Sequence, residues 1–174
     1  MRSQERTIRT GLHTTVGVGT MLTSALIAEF IAPSDHLWLV SPWITDVQIL
    51  DNSHGAYDAL FGDVPPQSCR LSDAIARIAH GGAKIHVVTR PDAHNDDFLR
   101  RLLTKAAAPD RIHSAQDPNI HEKTMCGNDW MLSGSMNFTI RGMAKNDERV
   151  TYTAGIDAAA QARLDLAERW GDAA

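Results

Sequence analysis

Short apolar segments alternate along this chain with segments of helical periodicity. Leu37–Ser41 is an apolar run closed by Pro42, and Lys84–Thr89 contains a second run of the same kind. Runs of this length are typical of buried β-strands. Elsewhere apolar residues recur every three or four positions, which is typical of a helix with one buried face. The alternation predicts an α/β layered fold with a central mixed β-sheet flanked by helices.

Capping and stop signals place the elements. One predicted helix ends before Pro33, a second has Ser72 as its N-cap and Gly81 as its stop, and a third is capped by Asn95. The predicted helices cover about 20–31, 72–80, 96–107 and 156–170. The predicted strands cover 37–41, 84–89, 111–114, 120–126, 130–135 and 150–154, and 51–70 is a predicted loop with a helical turn at 57–61.

Size and composition are those of one folded domain over residues 1–174. The hydrophobic fraction of 43% makes disorder improbable, and 174 residues suit a single core. The two cysteines, Cys69 and Cys126, have no metal-ligand spacing and imply no disulfide framework. Cys126 is expected to be buried, and His86, inside a predicted strand, is expected to be packed rather than catalytic.

The N-terminal segment superficially resembles a signal peptide. Arg2, Arg6 and Arg9 precede an apolar stretch from Val16 to Ile31, but polar residues, including Glu29, interrupt that stretch. The pattern predicts an amphipathic helix packed on the sheet, too short and too polar to span a bilayer. We therefore expect a cytoplasmic protein without a membrane partner.

The net charge of −4 argues against tight, non-specific binding of nucleic acid, which usually needs a basic excess. Any basic surface must be local, and Arg141, Lys145 and Arg149 form one cluster in the sequence. This charge balance favours weak or partner-assisted binding of a polyanion.

Residues 120–150 concentrate the polar chemistry of the chain. His121 and Lys123 are two positions apart, so on a strand both side chains would point to one face. Ser135 and Asn137 can hydrogen-bond phosphate oxygens, and Lys123 can neutralise their charge. His121 can attack or donate a proton near neutral pH, and Glu148 can fix the tautomer of an imidazole. Together these five side chains have the right chemistry for a phosphodiester.

The order His-x-Lys, Gly-Ser-x-Asn-Phe-Thr and Asn-x-Glu resembles the HKD signature of the phospholipase D superfamily, most closely that of its small single-motif nucleases. One departure concerns an aspartate, mainly a structural hydrogen-bonding residue in the family, seven positions after the histidine. Here that position is Asn128, with Asp129 next to it. The interval between Lys123 and Gly134 is also one residue shorter than usual, which predicts a trimmed turn at 127–130.

The resemblance implies a mechanism and an assembly. The family chemistry uses two histidines, one as nucleophile and one as acid and base, and this chain carries one motif. The resemblance therefore implies a homodimer with His121 from each subunit in one site, a phosphohistidine intermediate, and no metal or other cofactor. Lys123, Asn137 and Ser135 would offset phosphoryl charge, and Glu148 would orient an imidazole.

Residues beside the motif are candidates for substrate binding, and Trp43 could stack on a base or lipid, although a core position is the more common fate of a tryptophan. The candidates are Trp43, Thr139, Arg141, Lys145 and Asn146. A nuclease acting on DNA or RNA is the favoured interpretation, in a bacterial DNA-processing or defence setting with a larger protein partner. A phospholipid hydrolase or transferase, and a catalytically silent binding module, stay open as alternatives.

Overall fold

The computed structural model describes residues 4–10 and 17–171. Its strands are β1 Gln4–Arg9, β2 His36–Val40, β3 Gln48–Asp51, β4 Ser68–Arg70, β5 Lys84–Thr89, β6 Ile112–Gln116, β7 Thr124–Cys126, β8 Trp130–Gly134 and β9 Arg149–Ala154. Its α-helices are α1 Val18–Ile31, α2 Leu71–His80, α3 Ala93–Lys105, α4 Ile140–Ala144 and α5 Ile156–Trp170.

A mixed sheet forms the centre of the fold, as the sequence predicts. Within the described residues, seven strands follow the order β1-β9-β8-β7-β2-β5-β6. The β2, β5 and β6 strands are parallel, whereas β7, β8, β9 and β1 continue the sheet in antiparallel pairs. The strands β3 and β4 make a separate antiparallel pair.

Both faces of the sheet are covered, which explains the apolar runs. Alternate residues of a strand point to opposite faces. In β2, Leu37 and Leu39 join the core that contains residues of α1, α2 and α3, whereas Trp38 and Val40 join the core that contains Leu166 of α5. A strand buried on both sides has no polar face, so its sequence does not alternate.

Several helix boundaries differ from the prediction. Ser72 is not an N-cap: α2 begins at Leu71, and the Ser72 N–H and hydroxyl donate to the buried Asp46 carboxylate at 2.9 and 3.0 Å. Asp92, not Asn95, caps α3, accepting from the His94 N–H at 2.9 Å. Both errors have one cause, because each side chain forms long-range contacts that capping rules do not include.

Other elements escaped prediction because tertiary pairing defines them. The predicted loop at 51–70 was wrong at its ends, which belong to β3 and β4; only 52–67 connects these strands, and its expected helical turn is a 3₁₀ turn at Asp58–Leu60. The strand β1 pairs with β9 along its whole length, and α4 is a short helix that the pattern did not indicate. The predicted positions Arg2 and Val16 lie outside the described residues.

Candidate active site

The elements of the motif meet at one end of the sheet. The strands β2 and β5 run parallel and end here, and β7, antiparallel to β2, begins here. Because β8 and β9 continue the antiparallel pairing, β8 ends and β9 begins at the same place. The register therefore brings the segments before β7, after β8 and before β9 side by side.

His121 and Lys123 lie just before β7. The predicted strand at 120–126 placed them inside it, which was wrong. Pairing with β8 weakens at this point, since the Gly134 N–H reaches the Lys123 carbonyl at 3.3 Å. The Lys123 ammonium donates to the His121 carbonyl. Burial, and then the charge of Arg90, lower the pKa of Lys123, and Glu148 opposes that shift. Lys123 is thus a cation held close to both another cation and a carboxylate.

Arg90 is part of the site, and sequence analysis missed it. Its Nη2 lies 3.0 Å from Nε2 and 3.3 Å from Nδ1 of His121, and its Nε donates to the Ile120 carbonyl at 3.0 Å. The guanidinium also lies 4.9 Å from the centre of the Trp43 ring. The only sequence signal would have been its position, directly after the parallel strand β5, where ligand-binding residues of α/β sheets collect.

Glu148, Ser135 and Asn146 form a hydrogen-bonded group. The Ser135 hydroxyl donates to Glu148 Oε2 and accepts from the Arg149 N–H at 3.0 Å, and the Asn146 amide donates to Glu148 Oε1 at 3.2 Å. The backbone of Glu148 is held by Thr10, which follows β1. Among the described residues Glu148 does not contact His121, so its expected role in orienting an imidazole remains a prediction.

Asn137 carries a buried oxygen without a partner. Across the described residues, its Oδ1 has no hydrogen-bond donor, and an unsatisfied buried acceptor costs about 1–3 kcal/mol. Its backbone carbonyl approaches Gly142 so closely that a β-carbon there would lie 2.3 Å from it, which explains the glycine in α4. The structure thus gives Asn137 Oδ1 no bonding role in the described part of the fold, and its expected contact with phosphate remains a prediction.

A groove of about 440 Å³ has Trp43, His94 and Asp92 in its lining. His121, Lys123 and Glu148 do not line it. Trp43 is 38% exposed, so the expectation of a core tryptophan was wrong. Arg141 and Thr139 also line the groove, but the Thr139 hydroxyl already accepts from the Gly142 N–H at 3.1 Å. Lys145 is exposed and is not among the lining residues.

A carboxylate from another element holds the turn at 127–130. Buried Glu29 of α1 accepts from the Trp130 indole at 2.7 Å and from the Ser34 hydroxyl at 2.6 Å and N–H at 2.7 Å. Ser34 in turn accepts from the Asn128 N–H at 2.7 Å. A structural carboxylate is therefore present at this turn, although neither Asn128 nor Asp129 supplies it.

The two cysteines have the expected inert character. Both are buried and free, and burial raises the pKa of Cys69 and of Cys126 to about 12. Within residues 4–10 and 17–171, no group of three or more His, Cys, Asp or Glu side chains could hold a metal ion. None of the helices described is both long and apolar enough to cross a membrane.

Comparison with protein families identifies the chain. A family model described as the cardiolipin synthase, PLD-like domain matches residues 47–170, which is well over half of the sequence. The chain therefore belongs to the phospholipase D-like family, in agreement with the motif. No curated protein sequence matches it.

Solved structures show the same fold. Nuc, a phospholipase D family member from Salmonella typhimurium, aligns with 98% of this chain and 93% of its own, at 14% identity and a TM-score of 0.62. NucT from Helicobacter pylori aligns with 94% of this chain and 92% of its own, at 12% identity and a TM-score of 0.61. Polyphosphate kinase from Porphyromonas gingivalis aligns with 97% of this chain but 24% of its own, at 15% identity and a TM-score of 0.62. At such identities the likeness concerns the fold.

Proposed function

We propose that this protein is a metal-independent phosphodiesterase that cleaves nucleic acid through a phosphohistidine intermediate. The observation that carries the proposal is the convergence of an imidazole, two cations and a polar group held by Glu148 at one end of the sheet. With a second imidazole as proton donor, such a set can attack phosphorus and neutralise charge on its oxygens without a metal ion. Membership of the phospholipase D-like family supports the same chemistry.

The proposed reaction has two displacements. The unprotonated ring nitrogen of one His121 attacks phosphorus, and the bond to the leaving oxygen breaks as the protonated His121 of a second subunit donates its proton to that oxygen. Water then attacks phosphorus, gives its proton to the now neutral second imidazole, and the phosphorus–nitrogen bond breaks. Lys123 and Asn137 would stabilise the developing charge, with help from Ser135.

Substrate would extend from this centre into the groove beside Trp43. The exposed indole offers a flat apolar surface, and base stacking on such a surface is worth about 1–3 kcal/mol per base. Arg141 supplies a cation for the backbone in the same groove. Asn146 would act less directly, by holding Glu148. Because Lys145 is outside the groove, its contribution to binding would be limited to long-range charge.

Cleavage of labelled single- and double-stranded DNA and RNA in EDTA tests the proposal. We expect the wild type to cleave at least one polymer and His121→Ala to lose at least about 1,000-fold in rate, since it removes the nucleophile. His80→Ala, an exposed histidine at the end of α2, is the matched control and should retain activity. Cleavage that stops in EDTA, or that persists in His121→Ala, would contradict the mechanism.

A phospholipid substrate is the second candidate, because the description of the matching family model names cardiolipin synthase. The same variants should be assayed on vesicles of phosphatidylglycerol and cardiolipin. Turnover of lipid that depends on His121, without cleavage of any nucleic acid, would replace the first proposal by the second. Binding of either polymer with no turnover by the wild type would favour a silent binding module that depends on a partner protein.

A further inference from the structure

Arg90 touches the reacting side chain, although it lies 31 positions before His121 and outside the motif. We propose that Arg90 is a further catalytic residue, whose guanidinium binds the phosphoryl oxygens of the group that His121 attacks. This inference rests on the proposed function, because it assigns the residue a role in that same site. It adds a fourth group to the phosphate-binding set of Lys123, Asn137 and Ser135 that the motif supplies.

The charge around Arg90 calls for an anion. Arg90 is half-buried, and in the described part of the chain no carboxylate forms an ion pair with it. Its charge is also close enough to Lys123 to disfavour protonation of that amine. Two neighbouring cations repel; Glu148 opposes the effect of Arg90 on Lys123, and a bound phosphate would add further negative charge beside the two cations.

The contact with His121 places the guanidinium where phosphorus chemistry would occur. Nη2 of Arg90 lies within hydrogen-bond distance of both ring nitrogens of His121, so the guanidinium is beside whichever nitrogen would attack phosphorus. A phosphoryl group bound to that nitrogen would carry its oxygens into reach of the guanidinium, which binds such oxygens in pairs. A small displacement of Arg90 from the imidazole to the phosphate is sufficient.

Hydrogen bonds to neighbouring elements fix the position of Arg90 for this contact. The Arg90 carbonyl accepts from the amide of Asn95 at 2.9 Å, and that amide also donates to the Pro42 carbonyl at 2.9 Å. The Asn95 oxygen accepts from the Ile44 N–H at 2.9 Å, so one buried side chain anchors both Arg90 and the segment around Trp43. The guanidinium then lies over the Trp43 ring while its Nε is bound to the Ile120 carbonyl. Such anchoring reduces the entropy lost when an anion binds.

Binding of inorganic phosphate, measured by calorimetry on the full chain, tests this role without requiring turnover. We expect Arg90→Gln to weaken binding by about 10- to 100-fold, because a charge-assisted pair of hydrogen bonds is lost. Arg90→Lys keeps the charge but not the planar fork, so its phosphate affinity should lie between those of the wild type and Arg90→Gln. Arg100→Gln is the matched control. It removes one charge from an exposed position of α3 and should bind phosphate as the wild type does.

Cleavage kinetics and thermal unfolding of the same variants separate catalysis from structure. Loss in kcat/KM should exceed the loss in phosphate affinity if Arg90 acts mainly on the transition state. Unchanged phosphate affinity in Arg90→Gln would overturn the inference. If that variant does not fold, unchanged affinity in Arg90→Lys would do the same. A lowered Tm with unchanged affinity would show that Arg90 only stabilises the fold. If the wild type cleaves no nucleic acid but phosphate binding depends on Arg90, the proposed function and the catalytic role fail, whereas the assignment of Arg90 as a phosphate-binding residue stands.

Discussion

Burial separates the histidines of this chain at the residue scale. His121 is exposed at the end of the sheet, whereas His86 of β5 is 6% exposed, as its position in an apolar strand predicts. The His86 ring stacks on Trp38 at 4.1 Å between ring centres and on the rings of His36 and His113. Its Nε2 bonds to His36 at 2.9 Å. The first histidine is accessible to a substrate, whereas the second is packed in the core.

The buried histidine makes stability depend on pH. Burial, and then the charges of His36, His113 and Lys84, lower the pKa of His86 from 6.5 to about 4. Folding therefore favours the neutral ring, so stability is complete above about pH 6.5 and decreases as the pH falls towards 4. Urea unfolding at pH 7.5 and 5 should reveal a loss of the order of 1–2 kcal/mol. His86→Phe, which keeps the stacking, should show a smaller loss, and an equal loss in both proteins would contradict this assignment.

The turn at 127–130 illustrates what separate elements contribute. Glu29 enters from α1, Ser34 from the segment after it, and Trp130 from the start of β8. A β-carbon at Gly127 would lie 2.4 Å from Glu29, so the glycine is needed for the close approach of the two elements. The sequence showed an asparagine where the family usually has an aspartate, but it could not show that Glu29 of α1 supplies a carboxylate to this turn.

Removal of the Glu29 carboxylate should destabilise the fold. Glu29→Ala leaves the Trp130 indole and the Ser34 hydroxyl without their acceptor, so we expect a loss of roughly 3 kcal/mol in the free energy of unfolding. Glu29→Gln, which keeps one oxygen, should lose less. Glu168→Ala on exposed α5 is the control and should change stability by less than about 0.5 kcal/mol. Equal stability of the Glu29 and Glu168 variants would show that the turn does not need a carboxylate.

The whole molecule supplies one His121, and the proposed reaction needs two. A twofold dimer with both copies at its axis would complete the site, which is the expected assembly for a family member with one motif. The end of the sheet that carries His121, Arg90 and Trp43 would then be the region shared by the subunits. This assembly is a proposal that mixing of subunits can test.

Mixing wild type with His121→Ala should reveal shared sites. After subunit exchange in an equal mixture, about one quarter of the dimers have both histidines, so activity per wild-type chain should fall by about half. Mixing wild type with His80→Ala, which keeps His121, should leave the activity per chain unchanged. Unchanged activity per wild-type chain, or a monomer by sedimentation equilibrium, would contradict the shared site.

The strands buried on both faces, the helices with one apolar face and the motif were predictable from the sequence, because each depends on local periodicity or on a short ordered pattern. Thus 37–41 and 84–89 correspond to β2 and β5, and family membership follows from residues 120–150 with their flanks. Boundaries were less accurate where a side chain such as Ser72 or Asn95 bonds to a distant element.

Only the tertiary structure decided which distant residues join the motif. Arg90 meets His121 because β5 ends beside β2, and β2 pairs with β7, which begins just after His121. Glu29 bonds at the turn 127–130 because α1 packs close to Gly127. Periodicity reports which way a residue faces within its own element, whereas contacts between elements depend on strand order and packing, which no local pattern encodes.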